Sequence, residues 1–269
     1  MGFLSLLEER WNLSQSLLCV GLDPDMDRLP EAVRDKPASI AKFCIDIVDA
    51  TAEFACAFKP QIAYFSAIGA ENQLEAVCGH IRDRHPEIPI ILDAKRGDIG
   101  DTAKLYAREA FERYGAHAVT VNPYLGTDSL EPFLAWDGRG VVVLCRTSNA
   151  GGGEFQGLES DGSAVYEHVA RTAAHDWSTR GEVALVVGAT YPGELSRVRE
   201  IVGEMPLLVP GVGAQGGDPA EVVRNGKNSR GAGLIVNSSR AILYADANDH
   251  AAGAARVARE TRDALNAAR

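Results

Sequence analysis

The sequence predicts an α/β fold, a single-domain (β/α)8 TIM barrel that spans residues 1–269. Eight short runs rich in valine, isoleucine and leucine recur along the chain, and amphipathic stretches separate them. Nearly continuous apolar runs are typical of parallel strands covered on both faces. Their regular alternation with helical stretches favours a barrel over its alternative, an open doubly wound sheet. No linker divides the 269 residues, a length that suits one barrel.

The predicted strands are the blocks LLCVGL, ACAFK, IPIILDAK, AHAVTVN, GVVVLCR, VALVV, LLVP and GLIVN. They occupy residues 17–22, 55–59, 88–95, 116–122, 140–146, 183–187, 207–210 and 233–237. Apolar residues at helical spacing predict amphipathic helices over 40–53, 73–84, 102–113, 166–177 and 254–265. The last of these belongs to an alanine-rich and arginine-rich segment, 251–269, which we interpret as the final barrel helix.

Composition excludes several classes of protein. The net charge is −10 and the isoelectric point about 5.1, so the chain has no general attraction for nucleic acid, and a phosphorylated ligand would need a local basic site. No apolar run approaches the ~18 residues of a membrane span. Five cysteines without a CxxC pattern indicate reduced thiols in a cytoplasmic protein. Six histidines without HExxH or HxH spacing give no reason to expect a histidine-built metal site.

Polar and charged residues follow most of the predicted strands, at the ends where barrel enzymes hold their active sites. Buried charges are costly unless they are paired, so several of them converging on one barrel mouth are hard to explain as packing. These residues are Asp23, Lys59, Asp93, Lys95, Asn122, the segment 146–149, Gln215 and Arg240.

Asp93 and Lys95 are the first candidates for chemistry. Alternate residues of a strand point to the same side, so the two side chains should lie together. A second carboxylate, Asp98, follows closely. Carboxylates around a lysine keep it charged, which suits a proton donor and not a Schiff-base nucleophile. The alternative is a structural ion pair, with Asp98 as the N-cap of the next helix.

Two segments are candidates for binding a phosphate group. The glycine-rich segment 210–218 follows the seventh predicted strand, and Asn-Ser-Ser-Arg at 237–240 follows the eighth. Loops after these two strands often hold phosphate in such barrels, and the guanidinium of Arg240 suits bidentate contact. The alternative is a mobile loop and a solvent-facing arginine. The glycines match a dinucleotide fingerprint only loosely, and no acidic ribose partner follows at the expected distance.

The remaining candidates are weaker when each is taken alone. Asp23 and Lys59 could be ordinary charges at strand ends, where such residues are common. Ser148 and Asn149 could present a hydroxyl and an amide to a polar ring, or could be turn residues before the glycines at 151–153.

Taken together, these motifs resemble a known family. The pattern Asp93-x-Lys95-x-x-Asp98-Ile99-x-x-Thr102 resembles the signature of orotidine 5′-phosphate decarboxylases, in particular the bacterial subgroup with longer chains. The blocks GLDPD at 21–25, FKPQ at 58–61, RTSN at 146–149, PGVGAQGGD at 210–218 and SSR at 238–240 resemble its other motifs in the same order. The resemblance covers most of the chain. It implies decarboxylation of orotidine 5′-monophosphate to UMP, the last step of de novo pyrimidine nucleotide synthesis.

The resemblance also implies catalytic roles for four charged residues. Lys95 would deliver a proton to C6 of the substrate, and Asp93 would lie against the substrate carboxylate. Lys59 would join this network and, with Asp23, contact the ribose hydroxyls. Asp98 would come from the partner subunit, because in this family the active site lies at the interface of a homodimer. The family uses neither metal nor cofactor, so catalysis would rest on electrostatic stabilisation of a C6 carbanion.

Substrate-binding roles follow from the same resemblance. Ile99 and Thr102 would also come from the partner subunit, and Ser148 would contact the pyrimidine edge. Gln215 and Arg240 would hold the phosphate, whose binding energy could drive closure of the glycine-rich loops 151–157 and 211–217. This sequence departs from many relatives in having alanine, not proline, at position 150.

Two other interpretations remain open from the sequence. A phosphosugar decarboxylase or aldolase could share the D-x-K-x-x-D pattern, but it would depend on Mg²⁺ and need another carboxylate at a strand end. Asp49 and Glu53 lie too far back in their predicted helix to supply it. A catalytically silent barrel that binds a nucleotide and regulates a partner is the second alternative, and the intact Asp93, Lys95 and Asp98 set argues against it.

Overall fold

The computed structural model describes residues 1–34, 38–212 and 217–269, and within them eight parallel strands form one curved sheet. The strands are β1 (Leu18–Leu22), β2 (Ala57–Pro60), β3 (Ile91–Arg96), β4 (Ala118–Val121), β5 (Gly140–Arg146), β6 (Glu182–Val187), β7 (Leu207–Pro210) and β8 (Leu234–Ser238). Around the sheet the order is β2-β1-β8-β7-β6-β5-β4-β3, and every paired neighbour is parallel.

The two edge strands of this sheet meet and almost close it into a barrel. Parallel bridges link Phe58 to Ile90 and Gln61 to Asp93. Two backbone hydrogen bonds, from Phe58 N to Pro89 O at 3.0 Å and from Ile62 N to Asp93 O at 3.2 Å, join the same segments. Closure removes the exposed edges of an open sheet. The predicted (β/α)8 barrel is therefore confirmed, and the open-sheet alternative is wrong.

Helices alternate with the strands and cover the outside of the barrel. They are α1 (Phe3–Ser14), α2 (Ser39–Thr51), α3 (Glu71–Arg84), α4 (Gly100–Arg108), α5 (Thr127–Leu134), α6 (Val165–Thr172), α7 (Pro192–Val202), α8 (Pro219–Gly226) and α9 (His250–Asn266). α4 and α6 continue as wider π-helical turns, Glu109–Arg113 and Ala173–Trp177. A small antiparallel hairpin pairs Glu159–Ser160 with Ser163–Ala164. The five predicted helices are present, with ends shifted by a few residues.

The sequence pattern gave no strong signal for α1, which packs across the amino-terminal ends of the strands. Phe3 N donates to Gly138 O, and the buried Trp11 donates its indole N–H to Leu234 O at 2.9 Å. At Gly140, the first residue of β5, an added Cβ would lie 2.3 Å from the ring of Phe3. α1 therefore closes the end of the barrel opposite the strand ends that carry the candidate residues.

Two further features bear on the class of protein. Among the described residues, no helix is both long and apolar enough to cross a membrane. All five cysteines are buried free thiols, and burial raises the pKa of Cys78 to about 12. Such thiols are protonated and unreactive at neutral pH.

Candidate active site

Asp93 lies at the centre of a charged cluster at the carboxyl end of β3. Its two carboxylate oxygens each accept a hydrogen bond from a lysine, from Lys59 Nζ at 2.7 Å and from Lys95 Nζ at 2.6 Å. Asp93 and Lys59 are almost fully buried, whereas the Lys95 side chain is 47% exposed. The sequence prediction that Asp93 and Lys95 come together is confirmed, and Lys59 completes the pair from the neighbouring strand β2.

The charges of this cluster stabilise one another. Burial by itself would raise the pKa of Asp93, but the nearby Lys59 and Lys95 hold it well below its usual range. Burial would lower the pKa of Lys59, but the charges of Asp93 and Asp23 raise it well above its usual value. Both groups are therefore ionised across the physiological range, and the cluster has a fixed charge pattern facing the barrel mouth.

Thr120 on β4 orients the cluster, although it was not among the residues predicted from the sequence. Its hydroxyl donates to Asp93 Oδ1 at 2.9 Å and accepts from the backbone N–H groups of Ala94 and Lys95 at 3.0 and 2.9 Å. Lys95 has a φ of +45°, and the β3–β4 register shifts between Leu92 and Arg96. A left-handed lysine is strained and needs support from its surroundings, which Thr120 supplies. The only sign of this role in the sequence was that Thr120 places a hydroxyl inside an otherwise apolar strand.

Asp23 lies after β1, on the side of β2 away from β3. Its Oδ2 accepts a hydrogen bond of 2.6 Å from Ser239, which follows β8. Its Oδ1 is buried, as is Oδ1 of Asn237, and neither has a hydrogen-bond partner among the described residues. Buried acceptors without partners are unusual in folded proteins. Two unpartnered acceptors whose residues line the same cavity therefore indicate where a ligand can donate hydrogen bonds.

These walls enclose a cavity of about 360 Å³ at the carboxyl ends of the strands. Its lining brings together charged groups from β1, β2, β3 and β8, as the barrel topology predicts. The lining residues are Asp23, Lys59, Tyr64, Asp93, Pro210, Gly211, Val212, Asn237, Ser239 and Arg240.

Part of the predicted phosphate site borders the same cavity. Arg240 begins a short helix, Arg240–Leu243, and its side chain is exposed at the cavity edge. Gly211 has a φ of +102° and accepts a hydrogen bond from Gly217 N at 3.1 Å, so the two ends of the glycine-rich segment meet. Gln215 lies outside the described residues, as does the middle of the loop 211–217 for which closure was predicted.

Asp98, Ile99 and Thr102 lie beside this cavity without lining it. Ile99 is 58% exposed and Thr102 is exposed. Asp98 accepts a hydrogen bond from the N–H of Ile99, and among the described residues no ion pair joins it to Lys95. α4 begins at Gly100 with Ile99 as its N-cap and without a side-chain cap. The interpretation of Asp98 as a helix cap is therefore wrong, and within this chain it does not flank Lys95.

Ser148 lies in the loop after β5, close to the end of β6. A Cβ on Gly188 would lie 2.8 Å from Ser148 N, so only glycine allows this approach. The buried Arg146 just before it does not face the cavity. Its Nε lies 2.7 Å from Glu194 Oε2, and its guanidinium stacks 4.6 Å above the ring of Tyr191. Arg146 thus stabilises the loop that carries Ser148, and its charge is already compensated.

A paired acid–base cluster beside a cavity at the carboxyl face of a (β/α)8 barrel defines the class of barrel enzymes. Comparison with known proteins identifies the family within that class. The profile of the family described as Orotidine 5'-phosphate decarboxylase / HUMPS family matches residues 16–256. The chain belongs to this family, and the carboxy-lyase activity inferred from the motifs is confirmed at the level of the family.

Two relatives match this chain in sequence over almost the whole length of both proteins. The orotidine 5'-phosphate decarboxylase of Janthinobacterium sp. (strain Marseille) is 59% identical over 267 residues, which cover 99% of this chain and 98% of that protein. The protein of the same name from Bordetella pertussis is 60% identical over 272 residues and all of both chains.

Solved structures support the same assignment. A structure of Leishmania donovani OMP decarboxylase superposes with a TM-score of 0.87 at 39% identity, covering 100% of this chain and 98% of that one. A structure of Leishmania donovani UMP synthase gives 0.88 at 41% identity, covering 100% of this chain and 56% of the longer one.

Proposed function

We propose that this chain decarboxylates orotidine 5′-monophosphate to UMP and CO₂ by stabilising a C6 carbanion and protonating it from Lys95. The observation that carries the proposal is the Lys59–Asp93–Lys95 cluster, with Asp93 hydrogen-bonded to both lysines at the barrel mouth. The family membership and two relatives that are about 60% identical support the choice of substrate.

The cavity offers complementary groups for each part of this nucleotide. Asp23 has a free carboxylate oxygen that can accept from a ribose hydroxyl, and the neighbouring Lys59 can donate to the same sugar. Arg240 at the cavity edge can bind the phosphate, with Gln215 proposed as its companion. Ser148, in the loop after β5, is proposed to contact the pyrimidine edge.

The mechanism follows from the charges that the cluster fixes in place. When the bond between C6 and the carboxylate breaks, CO₂ leaves and the electron pair stays on C6, where no π-system can absorb it. The ammonium of Lys95 stabilises this charge and then transfers a proton to C6, and the lysine regains a proton from water. Asp93, held ionised, disfavours the bound carboxylate and keeps Lys95 oriented. A charge arrangement built before the reaction lowers the barrier without reorganisation.

We further propose that the working enzyme is a cytoplasmic homodimer whose subunits complete each other's sites. Asp98, Ile99 and Thr102 follow β3 on an exposed segment beside the mouth, where a partner could cover them. Nearby apolar side chains are also exposed, with Leu105 at 62% and Tyr124 at 83%. Exposed apolar groups of this size are typical of interaction surfaces. No metal or cofactor takes part in the proposed reaction.

A spectrophotometric assay tests the proposed reaction directly. The protein, treated with a chelator, should consume orotidine 5′-monophosphate, and UMP and CO₂ should form in equal amounts. Lys95→Ala should lower kcat by several orders of magnitude while leaving the fold intact, because it removes the proposed proton donor. A folded wild-type protein that turns over none of this nucleotide would refute the proposal. A requirement for Mg²⁺ would favour the phosphosugar alternative.

A further inference from the structure

Away from the active site, two histidines and an aspartate converge on one point between α2 and α3. Nε2 of His80 lies 2.7 Å from Oδ1 of Asp49, and Nε2 of His85 lies 2.8 Å from the same oxygen. One ligand atom from each of the three side chains lies within 4.8 Å of the other two. Three potential metal ligands therefore share a space the size of one coordination shell.

The local fold explains how these residues meet. Asp49 lies in the last turn of α2, and His80 lies near the end of α3. His85 ends α3: its N–H donates to Ile81 O at 2.8 Å, and its backbone leaves the helical region at φ −137° and ψ 53°. This break turns the second imidazole back toward the first. The five-residue spacing and a third group from another helix are invisible to a search for HExxH or HxH.

We propose that Asp49, His80 and His85 form a binding site for a divalent transition-metal ion of the zinc class. Tetrahedral zinc takes imidazole nitrogen and carboxylate oxygen ligands at 2.0–2.1 Å, which places ligand atoms roughly 3.3 Å apart. The contacts of Asp49 Oδ1 with the two nitrogens, at 2.7 and 2.8 Å, need to lengthen by only about 0.5–0.6 Å to match this spacing. Two imidazoles and a carboxylate select Zn²⁺, Co²⁺ or Ni²⁺ over Mg²⁺, which prefers oxygen ligands.

The exposure and charge of the site suit reversible binding of an ion. The Asp49 side chain is 51% exposed, whereas those of His80 and His85 are 21% and 19% exposed. An ion can thus enter from solvent, and water can take the fourth position. The Asp49 carboxylate supplies a negative charge for the ion, and imidazoles bind a metal in their neutral form. The five cysteines are buried and cannot compete for the ion.

The position of the site indicates a structural role. Barrel helices run back against the strands, so the carboxyl-terminal ends of α2 and α3 lie at the face opposite the cavity. An ion held by Asp49 on α2 and by His80 and His85 on α3 would link two neighbouring helices without contacting the Lys59–Asp93–Lys95 cluster. This inference is independent of the proposed reaction, because neither the ligands nor their role involves the cavity.

Titration calorimetry with zinc alone tests the proposal on the full-length, chelator-treated protein. One ion should bind per chain, and at a hundredfold excess over Kd the thermal midpoint should rise by roughly 5 °C. Cobalt should give the intense visible bands of four-coordinate Co²⁺. Asp49→Asn, His80→Ala and His85→Ala should each weaken binding at least tenfold. His175→Ala, which removes an exposed histidine in the π-helical turn after α6, should bind zinc like the wild type.

The same experiments can overturn the proposal. It fails if the wild type binds no zinc, or if His80→Ala and His85→Ala retain wild-type affinity. Circular dichroism establishes that each variant is folded. Should an alanine variant unfold, His80→Gln and His85→Gln keep the side-chain volume and replace a strong ligand with a weak one. Retained affinity in these glutamine variants contradicts the site equally.

Discussion

At the scale of the residue, Thr120 shows what a sequence pattern can and cannot reveal about the active site. Asp93 and Lys95 could be paired in advance because strand side chains alternate. Their exact geometry depends on one hydroxyl that bonds the Asp93 carboxylate and two backbone N–H groups. A threonine in an apolar strand is equally typical of simple packing, since β-branched residues favour strands. Only the three-dimensional contacts distinguish the two roles.

The buried Lys59–Asp93 pair predicts a dependence of stability on pH. The pKa of Asp93 is depressed in the folded state, so its contribution is present above the unfolded pKa of about 3.9 and is lost as the pH falls below it. The pKa of Lys59 is raised, so its contribution is present below about 10.4 and is lost as the pH rises above that value. Urea unfolding at fixed protein concentration should show the free energy of unfolding declining on both sides of a broad plateau.

Asp93→Asn isolates the contribution of this carboxylate. The substitution removes the hydrogen-bonded counter-charge of the buried Lys59 and leaves it only the charge of Asp23, so it should cost about 3–5 kcal/mol at neutral pH. It should also flatten the acid limb of the pH profile. Asp263→Asn is the matched control, because it removes an exposed ion pair with Arg262 on α9 and should change stability little. Equal losses in the two variants would show that burial of the Lys59–Asp93 pair is not the source of the effect.

Among the secondary-structure elements, the repeating strands were predicted from the sequence, whereas features that depend on contacts between distant parts of the chain were not. The strands were predictable because burial on both faces leaves nearly continuous apolar runs. α1 was not predicted, because its place is set by contacts of Phe3 and Trp11 with strand ends far along the chain. The Asp98 cap was a reasonable local interpretation, but α4 begins after Ile99 without a side-chain cap. Ser239 was named only as part of a phosphate segment, yet it bonds Asp23 at the end of the neighbouring strand β1.

The junction of β1 and β8 leads to a prediction about Gly21. A Cβ at this position would lie 2.9 Å from Cβ of Ser239 and 3.0 Å from Oδ1 of Asn237, so the two strand ends must move apart. Gly21→Ala should therefore displace Ser239 and Asp23 at the side of the cavity where we propose that the ribose binds. We expect KM for orotidine 5′-monophosphate to rise roughly tenfold or more, since small misplacements of positioning groups are costly.

A second glycine supplies the control for that measurement. Gly79 lies in the middle of α3, and a Cβ there meets nothing closer than Arg82 Nη2 at 4.0 Å. Gly79→Ala should leave KM unchanged and stabilise the helix by up to about 1 kcal/mol. An unchanged KM in Gly21→Ala as well would mean that the β1–β8 junction tolerates the methyl group and does not set the position of Asp23.

Considered as a whole, one chain brings together most of the charged residues proposed for the site but leaves Asp98, Ile99 and Thr102 outside the cavity. The cavity is lined by Asp23, Lys59, Asp93 and Arg240, and Lys95 is hydrogen-bonded to Asp93. In contrast, Ile99 and Thr102 are exposed and Asp98 is half-buried. The sequence pattern alone could not separate the motif residues at the cavity from those outside it, because residues close together in a motif need not serve the same site. In the proposed homodimer, Asp93 and Lys95 would serve the site of their own subunit, and Asp98, Ile99 and Thr102 would serve the site of the partner.

Mixing two inactive variants tests whether the sites are shared. Lys95→Ala and Asp98→Ala homodimers should each be nearly inactive, because every site lacks one group. In the mixed dimer, one site carries both defects and the other contains the intact Lys95 of one subunit and the intact Asp98 of its partner. Random assortment of equal amounts makes half of the dimers mixed, so refolding together should restore about one quarter of wild-type activity per chain.

Two measurements make the result of that mixing unambiguous. Affinity tags of two kinds show how much mixed dimer has formed, and refolding each variant alone gives the background activity. If both groups instead act within one chain, no mixture can contain an intact site, and activity stays at background while mixed dimers accumulate. The recovered kcat per intact site should equal that of the wild type, since the charges around C6 are then the same. A site completed by a second subunit ties activity to assembly, so activity at low protein concentration should fall as the dimer dissociates.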